Sequence, residues 1–392
     1  MEIQGELEQI CSNAQHVAGL DDLRRKLARG RPLRIKFGVD PTRPDLTFGH
    51  LVVFRKLRQL QDLGHEAIFL IGDFTTTIGD PSGRSETRPV LTAAQIEENS
   101  QTYLAQAFRI LDPKRTTVRR NGEWFSSMSL ADMLSLAREM TVAQLIERED
   151  FDKRLREGVP IAVVEFLYPL IQGYDSVVLE ADVELGGSDQ LFNMLVGRVL
   201  QKNRAMEEQA VLCMPLLVGL DGARKMSKSY GNYIAFNDSA QQMFGKILSI
   251  PDAMLESYHR LLLGYGDGEW ARAAERHPME AKKRLASALV AQFHGEEAAT
   301  HAREEFERVF SRGEVAEERV RIALEGLGDS VDAVELLAAS GAFPSRNEIR
   351  RLLEQGAVRL DGVRVTPGQK IEVRSATGQV LQVGKRQFFQ LG

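Results

Sequence analysis

The chain has 392 residues, 43% of them hydrophobic and 27% charged, the balance of a globular protein with room for roughly two to four domains. Its two cysteines, Cys11 and Cys213, lie far apart and outside any CxxC pattern, which excludes a disulfide framework and a cysteine-based zinc site. A net charge of −5 excludes a wholly basic nucleic-acid binder, and no apolar run nears the roughly 20 residues of a membrane span.

The N-terminus, MEIQGELEQI, is acidic and lacks the apolar core of a secretory signal, so the cytoplasm is the expected compartment. Residues 33–72 read as a βαβ unit. Leu33, Ile35, Phe37 and Val39 alternate with Arg34, Lys36 and Gly38, the period of a strand. A proline-rich turn from Asp40 to Asp45 leads to a helix predicted from about Gly49 to Leu63 and stopped by Gly64. Ala67–Ile71 is a short apolar run that fits a buried parallel strand. A further apolar run, Leu216-Leu217-Val218, leads into RKMSKSYGN. The pattern predicts a doubly wound α/β domain with ligands beyond the strand C-termini.

Three loops then fall at one sheet edge. In Thr47-Phe48-Gly49-His50 the helix start offers free N–H groups, Gly49 permits close approach to the backbone, and His50 is a candidate donor to a phosphate or sugar oxygen. A capping or packing role fits His50 equally well. The second loop, Gly72 to Arg84, carries Asp80 and, with Arg88, two arginines able to face anions. The third places Lys225 and Lys228 three apart among serines. This is either a solvated surface loop or a mobile clamp for a polyphosphate, to which lysine's compact charge on a flexible stem is suited.

In FLYPLIQGYDS, Tyr168, Gln172 and Asp175 share one face of a predicted helix, a polar stripe in an apolar segment. Such a stripe needs a partner, either a structural hydrogen-bond network or a ligand. From about 235 to 325 apolar residues recur at helical spacing: Leu285, Ala288, Leu289 and Phe293, then Ala298, Ala302, Phe306, Val309 and Phe310. The last segment looks separate. Val331, Val334 and Leu337 mark a short helix, Ser345 to Glu348 a capping box, and Asp361-Gly362 a two-residue hairpin turn. Residues 341–392 hold nine Lys/Arg against four Asp/Glu, leaving −10 on the rest. Arg346, Arg350, Arg351, Arg359 and Arg364 make either a solvated basic face or a phosphate-binding surface.

The His50 turn and the Lys225/Lys228 loop together resemble the paired signatures of class I aminoacyl-tRNA synthetases. KMSKS is complete at 225–229, whereas the H-x-G-H signature is partial, with Thr47 where its first histidine is usual. KFGVDPTRPDLTFGH, GDPSGRSETRP, FLYPLIQGYDS and ELGGSDQLFN narrow the resemblance to the bacterial tyrosyl-tRNA synthetases, and the C-terminal segment resembles their S4 RNA-binding domain. The resemblance covers nearly the whole chain. It implies a Rossmann-like catalytic domain over 1–234 with a connective insertion at about 115–190. A helical anticodon-binding-type domain over 235–326 and an α+β S4-like domain over 327–392 would follow.

The implied reaction joins tyrosine to ATP as tyrosyl-adenylate and then transfers the tyrosyl group to the 3′ end of tRNA-Tyr. The partners are L-tyrosine, ATP with Mg²⁺, tRNA-Tyr and a second copy of the chain, without a dedicated protein metal site. By this resemblance Thr42, Thr47, His50, Lys225 and Lys228 are catalytic. Gly49, His50, Asp189, Lys225, Met226 and Lys228 bind ATP, and Arg84 and Arg88 face phosphates. Lys36, Asp40, Asp80, Tyr168, Gln172, Asp175 and Gln190 bind tyrosine, Asp175 accepting the phenolic proton while Tyr168, Gln172 and Asp80 hold the ammonium. The contact from Lys36 is open, because another branch of the family has a tyrosine there. The five C-terminal arginines would contact tRNA. Two other readings stay compatible with the sequence: the same fold activating a modified tyrosine or tryptophan, and a non-catalytic RNA-binding relative, supported only by Thr47.

Overall fold

The strands of the first sheet are β1 (His16–Ala18), β2 (Arg34–Val39), β3 (Glu66–Ile71), β4 (Thr116–Arg120), β5 (Val183–Gly187) and β6 (Ala210–Met214). A computed structural model describes residues 3–80, 91–264, 277–311, 320–322, 324, 328, 330–340, 343, 345–376, 378–384 and 387–392. The sheet order is β1-β6-β5-β2-β3-β4, parallel except where β1 meets β6. The chain leaves β2 toward β3 on one side and β5 toward β6 on the other. That reversal opens a crevice beyond the C-terminal ends of β2 and β5.

The alternation in β2 does not mark a solvent face. Lys36 is 1% exposed, because β2 is a central parallel strand covered on both faces. Its register partner on β5 is Glu184, also buried. The helix between β2 and β3 runs Phe48–Asp62 and ends at Leu63 and a left-handed Gly64, as the sequence predicts. The apolar run at Leu216–Val218 is not a strand. The strand is β6, Pro215 follows it, and Val218 instead forms a bridge with Lys225 that closes the base of the signature loop. The predicted loop after β3 begins as a short helix, Asp73–Ile78. Residues 81–90, with Arg84 and Arg88, lie outside the described residues.

The polar stripe lies on the helix Val163–Val178, which packs on the helix Leu191–Asn203. A Cβ at Gly173 would sit 2.9 Å from Val196 Cγ1 and 3.0 Å from the Gly197 nitrogen. Glycine at 173 therefore sets how closely the two helices approach. Farther along, Phe293 stacks on Phe48 at 5.6 Å, Phe236 meets Phe48 and Phe293 edge to face at 6.3 and 4.8 Å, and Phe54 continues the cluster to Phe37 and Phe69 of the sheet. These aromatic contacts tie the helical segment beyond residue 235, including the helix Pro278–His294, to the sheet.

By internal contacts the chain forms two compact units, Met1–Ala299 and Thr300–Gly392. The second holds a five-stranded sheet of order β10-β9-β12-β13-β7 and a two-stranded one, β11-β8. Its strands are β7 (Val320–Ile322), β8 (Ser330–Asp332), β9 (Val358–Leu360), β10 (Val363–Arg364), β11 (Lys370–Glu372), β12 (Val380–Val383) and β13 (Gln387–Leu391). Val331 belongs to β8, paired with Ile371, so the helix predicted from it starts two residues later and spans Ala333–Ala339. Ser345 caps the helix Arg346–Glu354 by accepting from the Glu348 N–H, and Asp361 and Gly362 form the β9–β10 turn with positive φ. Leu336, Leu337, Ile349, Leu353, Val358 and Phe389 are among its buried core residues.

Candidate active site

A cavity of about 670 Å³ opens in the crevice. Thr42, Thr47, Gly49, His50, Asp80, Tyr168, Gln172, Asp175, Asp189, Gln190, Lys225, Met226 and Lys228 all line it, so the structure brings residues from the segments after β2, β3, β5 and β6 and from the Val163–Val178 helix into one space. Lys36 and Asp40 line it too.

At the inner end Asp175 is 2% exposed. One carboxylate oxygen accepts from the Trp124 indole N–H at 3.0 Å and the other from Asn121 Nδ2 at 3.4 Å. Burial pushes its carboxyl up to about 7, against the opposing charge of Lys36 and these two donors, with Glu184 adding to the rise. In its ionised form Asp175 can accept a hydrogen bond from a phenolic hydroxyl. Toward the middle, Tyr168 donates its hydroxyl to Asp40 at 2.9 Å, which leaves the phenolic oxygen as an acceptor. Asp40 also accepts from Thr75 at 2.7 Å. Gln172 turns its amide nitrogen toward Glu184 at 3.3 Å, so its carbonyl is the acceptor left for a ligand. With Asp80, whose carboxylate accepts from Gln190 at 2.9 Å, these acceptors suit an ammonium group.

Lys36 corrects one expectation. Its three N–H groups go to the Gln172 main-chain carbonyl at 2.9 Å, Ser176 Oγ at 2.8 Å and Glu184 Oε1 at 2.9 Å. No donor is left over for a substrate hydroxyl. A lone lysine on β2 and a lone glutamate on β5 lie side by side because the strands pair in that register.

At the outer end Thr47 is the N-cap of the Phe48–Asp62 helix, 2% exposed, with its hydroxyl 3.0 Å from His50 Nδ1. The hydroxyl of Thr47 thus lies against the His50 ring. The Thr47 N–H also donates to Nδ1, at 3.1 Å, which fixes Nδ1 as the acceptor and leaves the ring proton on Nε2. Burial, and then Lys228 nearby, lowers the His50 pKa to about 4, so the ring is neutral at physiological pH. His50 thus both caps the helix and presents a fixed N–H donor at the cleft.

The signature loop lies over the cleft. Lys225 pairs with Asp189 at 2.7 Å, and Lys228 reaches the carbonyl of Asp45. Burial lowers the Lys228 pKa to about 8, opposed by Asp45 and helped by Arg43. Asn232 organises the loop base: its carbonyl accepts from the Ser227 N–H at 2.8 Å, and its amide donates to Asp221 at 3.0 Å and to the Lys225 carbonyl at 3.2 Å. Sequence reasoning missed Asn121, Trp124, Ser176 and Glu184. The legible signals were NGEW just past a strand end and a single carboxylate inside the apolar β5 run. Among the described residues no cluster of three or more His, Cys, Asp or Glu could hold a metal ion.

In the second unit Arg346, Arg350, Arg351, Arg359 and Arg364 are exposed. Arg359 and Arg364 are direct cross-strand partners, a like-charge pairing that costs stability unless an anion lies between them. The Arg364 guanidinium also lies against Gly356, just past the end of the Arg346–Glu354 helix.

Residues 28–311 match the model of tRNA synthetases class I (W and Y), and residues 334–375 match the S4 domain. A tyrosine–tRNA ligase from Chlorobaculum tepidum is 48% identical, over 99% of this chain and 97% of its own. One from Bordetella pertussis is 52% identical, over 93% and 90%. Among solved structures, tyrosyl-tRNA synthetase from Archaeoglobus fulgidus, complexed with L-tyrosine, aligns at a TM-score of 0.62 and 25% identity, covering 77% of this chain and all of that one. With a family match across most of its length and relatives near 50% identity, the chain belongs to the class I tRNA synthetases of the tryptophan and tyrosine group and carries an S4 domain near its C-terminus.

Proposed function

We propose that this protein is a tyrosine–tRNA ligase, which activates L-tyrosine with ATP and transfers it to tRNA-Tyr. One observation carries the reading. A single cleft presents a buried carboxylate and a set of ammonium acceptors at one end and two lysines on a loop at the other. Tyrosine fits the first end, with its hydroxyl on Asp175 and its ammonium on Asp80, Tyr168 and Gln172. ATP, brought in with Mg²⁺ as its counter-ion, fits the second, with Asp189 toward the ribose and His50 Nε2–H toward a phosphate.

The tyrosine carboxylate attacks the α-phosphate, and pyrophosphate leaves. Positioning and stabilisation of the departing charge drive this step. Lys225 exchanges Asp189 for phosphate oxygens, and Lys228 exchanges the Asp45 carbonyl. In the second step a ribose hydroxyl at the tRNA 3′ end attacks the tyrosyl carbonyl, and AMP leaves. Phenylalanine is rejected because it leaves Asp175 buried without its proton donor.

The exposed arginines of the second unit are proposed to lie on tRNA phosphates. Leu130, Leu134, Val142 and Val163 are apolar and 53–77% exposed, on three helices within the expected insertion. They are proposed to be covered by a second copy of the chain. Work in translation places the enzyme in the cytoplasm. Amino-acid-dependent exchange of pyrophosphate into ATP tests the reading with tyrosine, phenylalanine, tryptophan and 3,4-dihydroxyphenylalanine, followed by charging of tRNA-Tyr. Exchange with tyrosine and subsequent charging are expected. Exchange only with another of these amino acids, or none at all, would overturn it.

A further inference from the structure

Beneath the inner end of the cleft lies a buried network that the reaction itself does not use. Glu184 is 3% exposed and its acceptor capacity is filled: Oε1 takes Lys36 and Gln172, and Oε2 takes Ser176 Oγ at 2.9 Å and the Gln209 amide. Lys36 in turn is held by Glu184, by Ser176 and by the backbone of Gln172. Two charges taken out of water this completely are weak evidence for stability, since an apolar pair of the same volume often does as well. Their placement suggests another reason for them. Both touch Gln172, and Lys36 grips the Val163–Val178 helix at 172 and 176, on either side of Asp175.

We propose that Lys36 and Glu184 are a positioning pair for the amino-acid pocket. Glu184 fixes the Gln172 carboxamide with its carbonyl toward the substrate ammonium, and Lys36, bonded to the helix at 172 and 176, holds its ammonium against the turn that carries Asp175, the acceptor for the substrate hydroxyl. The inference rests on the tyrosine reading above. A carboxamide can present either end to a ligand. An ammonium needs the carbonyl, and an acceptor-only neighbour behind the nitrogen enforces that orientation. Two charged side chains act on Asp175 from other elements, Lys36 from β2 and Glu184 from β5; Lys36 is the stronger influence and favours ionisation, while Glu184 opposes it. Removing both therefore leaves a net push toward the protonated acid.

Single substitutions leave a buried charge unmatched and can unfold the chain. The test is the double variant Lys36→Met/Glu184→Gln, which keeps volume and removes both charges. Binding of tyrosine and of 3-(4-hydroxyphenyl)propionate, which lacks the ammonium, is measured by equilibrium dialysis. At about pH 8.5 Asp175 is ionised in the parent and largely so in the variant. There tyrosine affinity is expected to fall about tenfold and that of the deaminated compound less than about threefold. The midpoint of tyrosine affinity against pH is expected to move up by about half a unit or more. An ATP KM within twofold of the parent shows that the cleft is still folded. Equal losses for the two compounds, or none for either, would overturn the role of Glu184, and an unmoved midpoint would overturn that of Lys36. A parent enzyme that binds no tyrosine fails the functional reading instead, and that result shows before any variant is compared.

Discussion

The two ends of the cleft are built in opposite ways. At the amino-acid end the polar groups sit on paired strands and a packed helix. Asp175, Lys36 and Glu184 are each 3% exposed or less, and their bonds are made before any ligand arrives. At the phosphate end the cations sit on a loop, Lys225 is about a third exposed, and their partners are provisional: a carboxylate and a backbone carbonyl that ATP must displace. Selection between similar amino acids needs fixed geometry, whereas following charge onto a departing pyrophosphate needs cations that can move. The loop is not slack, however. Asn232 ties its backbone at Ser227 and Lys225 and its base at Asp221.

That contrast can be broken at either end. The largest effect is expected from Lys228→Ala, which should slow adenylation about 10²–10³-fold in single-turnover assays. Asp175→Asn comes next. It should raise the KM for tyrosine about 10- to 100-fold and narrow the gap to phenylalanine, measured by pyrophosphate exchange. The pH dependence sharpens the comparison, because the two ends titrate in opposite senses. Asp175 has a raised pKa of about 7 and must be ionised to accept the hydroxyl, so tyrosine affinity should fall as pH drops below about 7, approaching tenfold per unit. Lys228 has a lowered pKa of about 8 and must be charged to hold phosphate, so the KM for ATP should rise by a few-fold as pH climbs above about 8. His50, neutral above about 4, should contribute to neither limb. The smallest effect is expected from Thr47→Val, which removes the hydroxyl that steadies His50 but not the backbone bond. Adenylation should slow by about two- to tenfold.

The parts of the site legible in the sequence were those set by local rules. The helix start at Thr47, the i, i+4, i+7 stripe of Tyr168, Gln172 and Asp175, and the Asp361-Gly362 turn all depend on residues near one another in the chain. What escaped depends on register between distant strands. Lys36 read as the polar side of an alternating strand because nothing local says that β5 will lie beside β2 with Glu184 opposite. Trp124 and Asn121 reach Asp175 only because β4 brings the following turn to the same edge as the Val163–Val178 helix. Thr47 read as a departure from the signature, because the sequence does not show that its hydroxyl lies against the His50 ring.

The claim that the two ends work separately is tested most directly in the variant Lys225→Ala/Lys228→Ala, by measuring tyrosine affinity and the single-turnover rate of adenylate formation on the same preparation. The account predicts a tyrosine dissociation constant within about twofold of the parent, together with a rate at least about 10³-fold lower. Adenylate forming at the parent rate, or tyrosine affinity falling in step with the rate, would contradict it.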